Sequence, residues 1–149
     1  MTDIMLVHAT AVAIDGWALV LRGPSGVGKS DLALRLIDGG ARLVADDQAE
    51  LRRAENRVWV RAPAALAGLI EIRGIGILRL SALDEAPLAM AVDLLPSHAV
   101  ERLPERRFEG VLGISIPVIG VSAFEVSAAA KVRLAFRVFS ANPLPAILY

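Results

Sequence analysis

Residues 23–30 read Gly23, Pro24, Ser25, Gly26, Val27, Gly28, Lys29 and Ser30, and they satisfy every fixed position of the pattern G-x-x-x-x-G-K-[ST]. Each residue type answers a need of phosphate chemistry. Glycines let backbone N–H groups turn inward around a β-phosphate. The helix that follows offers its positive N-terminal end to the anion. Lys29 can place an ammonium between β- and γ-phosphates, and the Ser30 hydroxyl is a hard ligand for Mg²⁺. An accidental match in a chain of this length has odds of roughly one in a few hundred, given ordinary residue frequencies. The bland reading, a glycine-rich turn with no ligand, is weakened further by context. WALVLR (17–22) reads as a strand before the loop, and SDLALRLID (30–38) reads as a helix after it, with Leu32, Leu36 and Ile37 on one face.

The second feature is LVADD, residues 43–47. An apolar strand delivers Asp46 and Asp47 beside the loop. Adjacent strand positions face opposite ways, but at a frayed strand end both can reach one site. One carboxylate can hold Mg²⁺ and the other can take a proton from an incoming hydroxyl. Order along the strand gives the metal side to Asp46 and the base to Asp47; the reverse assignment stays open. Away from a phosphate loop the same pair would read as a solvated turn.

The surrounding elements must hold these groups together. MLVHATAVAI (5–14) and WALVLR read as strands joined at Asp15-Gly16. Gly39-Gly40 stops the helix, and ARLVADD returns as a buried strand, which completes a βαβ unit. AELRR and RVWVR flank a hairpin turn at Glu55-Asn56, and Pro63 opens a short connector. LIEIRGIGILRL (69–80) reads as strand, glycine turn, strand; AMAVDLL (89–95) and VLGISIPVIG (111–120) read as further strands. AAAKVRLAFRVF (128–139) suits a helix, although Val132, Leu134, Phe136 and Val138 alternate as a strand would. NPLPAILY (142–149) is a proline-bearing tail that is either loose or docked on a neighbour.

The chain of 149 residues suits one compact domain over 1–149. Apolar residues make up 55% and charged residues 21%, a globular balance. Sixteen basic and sixteen acidic residues cancel, so no nucleic-acid footprint is expected. Absence of cysteine excludes a disulfide framework, a thiolate metal site and a thiol nucleophile. The N-terminus carries Asp3 and no basic region, which makes a poor signal peptide. No uncharged apolar stretch approaches the roughly 18 residues of a membrane span. The expectation is a soluble cytoplasmic domain.

Taken in order, VHATAVAIDG with His8, GPSGVGKS, RLVADD and EIRGIGIL (71–78) resemble the catalytic domain of the bacterial HPr kinase/phosphorylase family. EIRGIGIL is the decisive segment; VERLPE (100–105) and GVLGISIPVI (110–119) extend the likeness over nearly the whole chain. The resemblance implies an α/β P-loop domain related to phosphoenolpyruvate carboxykinases, with a mixed β-sheet and few helices, working as a homo-oligomer, usually a hexamer. It implies ATP and Mg²⁺ as cofactors and a serine of the phosphocarrier protein HPr as acceptor. By it Asp47 matches the base, His8 a histidine near the phosphate, Glu71 a second Mg²⁺ ligand and Arg102 an arginine that steadies transferred phosphate. Lys29, Ser30 and Asp46 keep the roles argued above. Each has a plainer reading beside it. His8 can be filler on an apolar strand, Glu71 can pair with Arg73, Arg102 can belong to a solvated run with Arg106 and Arg107, and His98 has no motif around it.

Three departures stand out. The usual family member carries a further N-terminal domain, whereas here the likeness begins almost at Met1. Where the family has Pro-Gly-Arg-Asn, tied to the phosphate-dependent reverse reaction, this chain reads VSAFEVSAAAKV, with Ser127 in place of the arginine. Lys131 could supply charge there but lacks the two-pronged arginine contact. The C-terminal part is also short. Two other function classes fit the residues: a P-loop phosphotransferase for small molecules, and an ATP-sensing module without catalysis.

Overall fold

The computed structural model describes residues 4–140. In chain order they form β1 (Ile4–Val7), β2 (Ala9–Ile14), β3 (Trp17–Arg22), α1 (Lys29–Asp38), β4 (Arg42–Ala45), β5 (Ala49–Ala54), β6 (Arg57–Arg61), β7 (Leu69–Ile72), β8 (Gly76–Arg79), β9 (Ala86–Leu94), β10 (Arg107–Val111), β11 (Ile114–Val121) and α2 (Ala128–Ser140). The mixed α/β architecture with few helices agrees with the expectation from sequence. The tail at 142–149 lies outside the described residues.

The nine-residue β9 is the spine of the large sheet. One edge pairs in parallel with β3. The other edge is shared, its start pairing antiparallel with β6 and its end in parallel with β11. The path β1-β5-β6-β9-β3-β2-β4 continues on both sides, and β7 and β8 form a separate hairpin. The strands of the β3–α1–β4 crossover are not neighbours: β2 lies between them, antiparallel to both.

Two readings of strands need correction. Residues 5–14 are not one strand. The chain bends at His8, so that β1 pairs with β5 while β2 enters the interior between β3 and β4. Burial explains the division, since Ile4, Met5 and Leu6 are exposed whereas Ala9 to Ala13 are buried. Residues 111–120 are likewise not one strand: Val111 ends β10 and Ile114 opens β11, a hairpin turning at Leu112 and Gly113, both at positive φ (48° and 82°). That geometry suits a two-residue hairpin turn, but leucine rarely adopts it and gives no turn signal.

Alternation along β3 separates two cores. Leu19 and Leu21 face α1 and α2 together with Leu32, Leu36, Met90, Val92, Val132 and Phe136. Ala18 and Val20 face the other core, which is rich in alanine (Ala9, Ala11, Ala13, Ala45, Ala49 and Ala91). Small side chains let the strands and their covering segments approach closely on this face. The end of α1 is fixed by Gly40 in the left-handed region at φ 112°, with Gly40 N donating to Ile37 O (3.0 Å) and Ala41 N to Leu36 O (3.0 Å). This is the glycine stop expected for Gly39-Gly40. From α2, Arg133 donates to Arg35 O (3.0 Å) and lies close under Gly39, so that a side chain there would displace the guanidinium.

Arg22, the last residue of β3, anchors the β10–β11 hairpin at the entrance to the glycine loop. Its Nε donates to Asp93 (2.7 Å), and its terminal nitrogens donate to both Glu109 oxygens (2.6 and 3.1 Å). Arg107 reaches the second Asp93 oxygen (3.1 Å). The Arg22 hydrogen bonds hold the Glu109 carboxyl below the usual carboxylate range, against a smaller opposing effect of burial. A lowered carboxyl pKa stabilises the fold at neutral pH, and that contribution fades as pH falls through the folded-state value. Because the pair is partly solvated, Glu109→Gln should cost only about 0.5 kcal/mol at pH 7. Urea unfolding at pH 7 and pH 3 should show the deficit shrinking at acid pH; an equal deficit at both would contradict the assignment.

Candidate active site

β3 feeds directly into residues 23–28, and α1 begins at Lys29. Gly28 holds φ 100°, and a Cβ there would lie 2.8 Å from Ala123 Cβ and 3.2 Å from the Phe124 ring. Both the backbone angle and the space therefore require glycine. No side chain caps the N-terminus of α1, so its first-turn residues, Lys29, Ser30 and Asp31, meet the cleft with their backbone donors uncapped. Lys29 is buried to 7% exposure; its Nζ donates to Gly23 O (2.6 Å) and Pro24 O (3.0 Å). These two bonds hold the ammonium against the loop and leave one of its three donors uncommitted.

The acid pair is divided by a sharp turn. Asp46 is buried at the end of β4. Its Oδ1 accepts from Ser30 Oγ (2.7 Å) and Thr10 Oγ1 (3.0 Å), and its Oδ2 accepts from the Glu71 amide (3.0 Å). Asp47 then takes φ 67°, a left-handed angle that aspartate tolerates better than most residues. Its amide donates to Thr10 Oγ1 (3.2 Å), and Gln48 N donates to Asp46 O (2.7 Å). The turn frees Asp47 from strand alternation, so its carboxylate stands 65% exposed with Oδ1 2.8 Å from His8 Nε2. His8 reaches it from the bend between β1 and β2.

A cleft of about 500 Å³ gathers these groups; its lining includes Ser25, Lys29, Ser30, Asp47, Glu71 and Arg73. β7 carries Glu71, and the turn after it carries Arg73, to the lining of the same cleft. Arg102 stands apart, on the exposed segment before β10, and does not line the cleft. Lys131 is engaged with Glu125 (2.8 Å), so it offers the cleft no free charge. His98 is exposed on a short 3-10 turn, as a surface residue would be.

Three residues escaped the reading of the sequence. Thr10 couples Asp46 to the Asp47 backbone, and its signal was a lone hydroxyl within ATAVAI. Arg35, in the last turn of α1, donates to the carbonyls of Ala123 and Glu125 and pairs with Asp31 (3.0 Å). Phe124 lines the cleft through the segment that Arg35 holds.

Among the described residues no group of three or more acidic or histidine side chains forms a metal cage by itself. Mg²⁺ commonly keeps waters and shares phosphate oxygens with only one or two protein ligands. The contact of Ser30 Oγ with Asp46 Oδ1 supplies two hard oxygens side by side, and Glu71 adds a third on the rim. These donors fit such an ion.

Comparison with known proteins gives a consistent picture. The family described as HPr Serine kinase C-terminal domain matches residues 1–132. An HPr kinase/phosphorylase of Caldanaerobacter subterraneus subsp. tengcongensis is 38% identical over 112 residues, 72% of this chain and 36% of that protein. One from Peptoclostridium acidaminophilum is 53% identical over 73 residues, 48% of this chain and 24% of its own. This chain thus spans between about a quarter and somewhat over a third of these curated relatives. The solved Hpr(Ser) kinase/phosphatase from Coxiella burnetii superposes with a TM-score of 0.80 at 26% identity, covering 89% of this chain and 94% of that one. With the family matched over most of its length and the fold shared, this chain belongs to the HPr serine kinase C-terminal domain family.

Proposed function

We propose that this chain is an ATP- and Mg²⁺-dependent kinase that phosphorylates a serine of the phosphocarrier protein HPr. One observation carries the reading: a buried aspartate bonded to the loop serine and an exposed aspartate meet at the phosphate loop, 16 and 17 residues after Ser30. That is the division of labour phosphoryl transfer needs, one acid for the metal side and one for the nucleophile. By the family resemblance the protein works in the cytoplasm as a homo-oligomer.

The loop amides and Lys29 bind and orient the triphosphate. Ser30 and Asp46, with Glu71 at the rim, would hold Mg²⁺, which when bound would supply charge neutralisation for the phosphate oxygens. Asp47 is the base rather than Asp46 for a geometric reason. Both Asp46 oxygens already accept hydrogen bonds, whereas Asp47 is largely open to an incoming hydroxyl. Asp47 takes the serine proton as the serine oxygen bonds to the γ-phosphorus and the bond to the β-phosphate oxygen breaks, releasing ADP. His8 orients the Asp47 carboxylate through their 2.8 Å contact. The role of Arg102 rests on the resemblance alone.

The reverse reaction, attack of inorganic phosphate on phosphoserine, is expected to be weak. Ser127 stands where the resemblance puts an arginine, and Lys131 is tied to Glu125.

Incubation with HPr, ATP and Mg²⁺ should add one phosphate to an HPr serine, read by mass spectrometry. Asp47→Asn should bind ATP normally yet slow transfer by roughly 10²–10⁴-fold. Normal turnover in that variant would return the base role to another group, and an unmodified HPr with the unaltered chain would exclude it as the acceptor. Lys29→Ala should weaken ATP binding by roughly 10-fold or more, the scale of a charge-assisted contact. Unchanged affinity by calorimetry would remove the loop from nucleotide binding.

A further inference from the structure

Phe124 lies in VSAFEVSAAAKV, the segment that the resemblance sets against Pro-Gly-Arg-Asn, and the mechanism above gives it no part. Its position is unusual for a phenylalanine. The ring is 70% exposed, yet it lines the cleft with Ser25, Gly26, Gly28 and Leu34. Its edge carbons lie against Gly28, within 3.2 Å of where a Cβ would stand. The backbone around it is fixed from several sides. The carbonyls before and after it, Ala123 O and Glu125 O, both accept from Arg35. The Glu125 amide donates to Ser122 O (3.2 Å), and the Glu125 carboxylate accepts from Ser97 (3.1 Å) and Lys131 (2.8 Å). An exposed aromatic side chain normally minimises contact with water. Here a network of polar bonds presents one at the mouth of a phosphate-binding cleft. Leu34, one helical turn beyond Ser30 on α1, adds a second apolar, partly exposed surface to the same cleft.

We propose that Phe124 is the platform on which the base of a bound nucleotide stacks, and that the site prefers purine to pyrimidine nucleoside triphosphates. This rests on the reading that the loop holds a triphosphate. The loop amides and Lys29 take the phosphate end; Phe124 and Leu34, lining the same cleft, leave a place for a flat, weakly polar body. A ring face selects by stacking area rather than by hydrogen bonds, and a purine offers more area than a pyrimidine.

The test compares Mg²⁺-ATP, Mg²⁺-CTP and inorganic tripolyphosphate by calorimetry on the unaltered chain, Phe124→Leu and Phe124→Tyr. Leucine keeps apolar bulk and removes the ring face; tyrosine keeps the face. The unaltered chain should bind ATP more tightly than CTP or tripolyphosphate. Phe124→Leu should lose about 5- to 150-fold in ATP affinity, the range of base–aromatic stacking, with tripolyphosphate changed by less than about twofold. Phe124→Tyr should stay within about threefold of the unaltered chain for ATP, since it retains the stacking face. The proposal is overturned if Phe124→Leu binds ATP normally, including the case where only the KM for HPr rises, which would assign the ring to the protein substrate. Equal weakening of ATP and tripolyphosphate would also overturn it, reducing Phe124 to a prop for Gly28. Failure of the unaltered chain to bind either ATP or tripolyphosphate would instead strike the triphosphate reading itself.

Discussion

The arrangement depends on one buried carboxylate. Asp46 accepts hydrogen bonds from Thr10 of β2, Ser30 of α1 and the Glu71 amide of β7. Burying a charge is costly unless it is fully bonded. Hydrogen bonds to charged groups contribute about 1.5–3 kcal/mol each. Three donors from three separate elements offset that cost, and in doing so they fix the elements relative to one another. Any drift of α1, of the β7–β8 hairpin or of the β4 end would leave the charge short of a partner. The same constraint places the loop serine, the rim glutamate and the turn that bears Asp47 around a single cleft.

The rest of the molecule supplies a rigid frame for that constraint. Alanine on one face of the sheet lets it curl tightly, and leucine, valine and methionine on the other pack it against both helices. At its C-terminal end β3 becomes the phosphate loop, with Arg22 bound there to β9 and β10. Arg35 links α1 to the segment before α2, and Arg133 returns the contact from α2. The segment 122–127, which brings Phe124 to the cleft, is thus held by polar bonds together with Ala123, which is buried in the helical core.

Much of this was legible from residue order. The phosphate loop, the following helix, its double-glycine stop, the hairpins at Asp15-Gly16 and Glu55-Asn56 and the strand-turn-strand of EIRGIGIL all carry local signals, and all are present. α2 is helical although its apolar residues also alternate; Val132 and Phe136, four apart, both face the helical core. What stayed hidden was set by partners distant in sequence. The bend at His8 arises because β1 and β2 have different neighbours, and the Leu112-Gly113 turn uses a residue type that rarely turns. Thr10 and Arg35 gain their importance from contacts 36 to 90 residues away. Asp46 and Asp47 were named together, but only the left-handed angle at Asp47 shows how neighbours on a strand serve one site.

Amide hydrogen exchange on an Asp46→Ala chain tests the central constraint most directly. Loss of the carboxylate should accelerate exchange at Glu71 and its β7–β8 neighbours by roughly 10-fold or more, the scale of one lost charge-assisted bond. Amides of β3 and β9, which pair with each other in the core, should keep their protection. Unchanged exchange at Glu71 would contradict the view that this carboxylate holds the three elements in place.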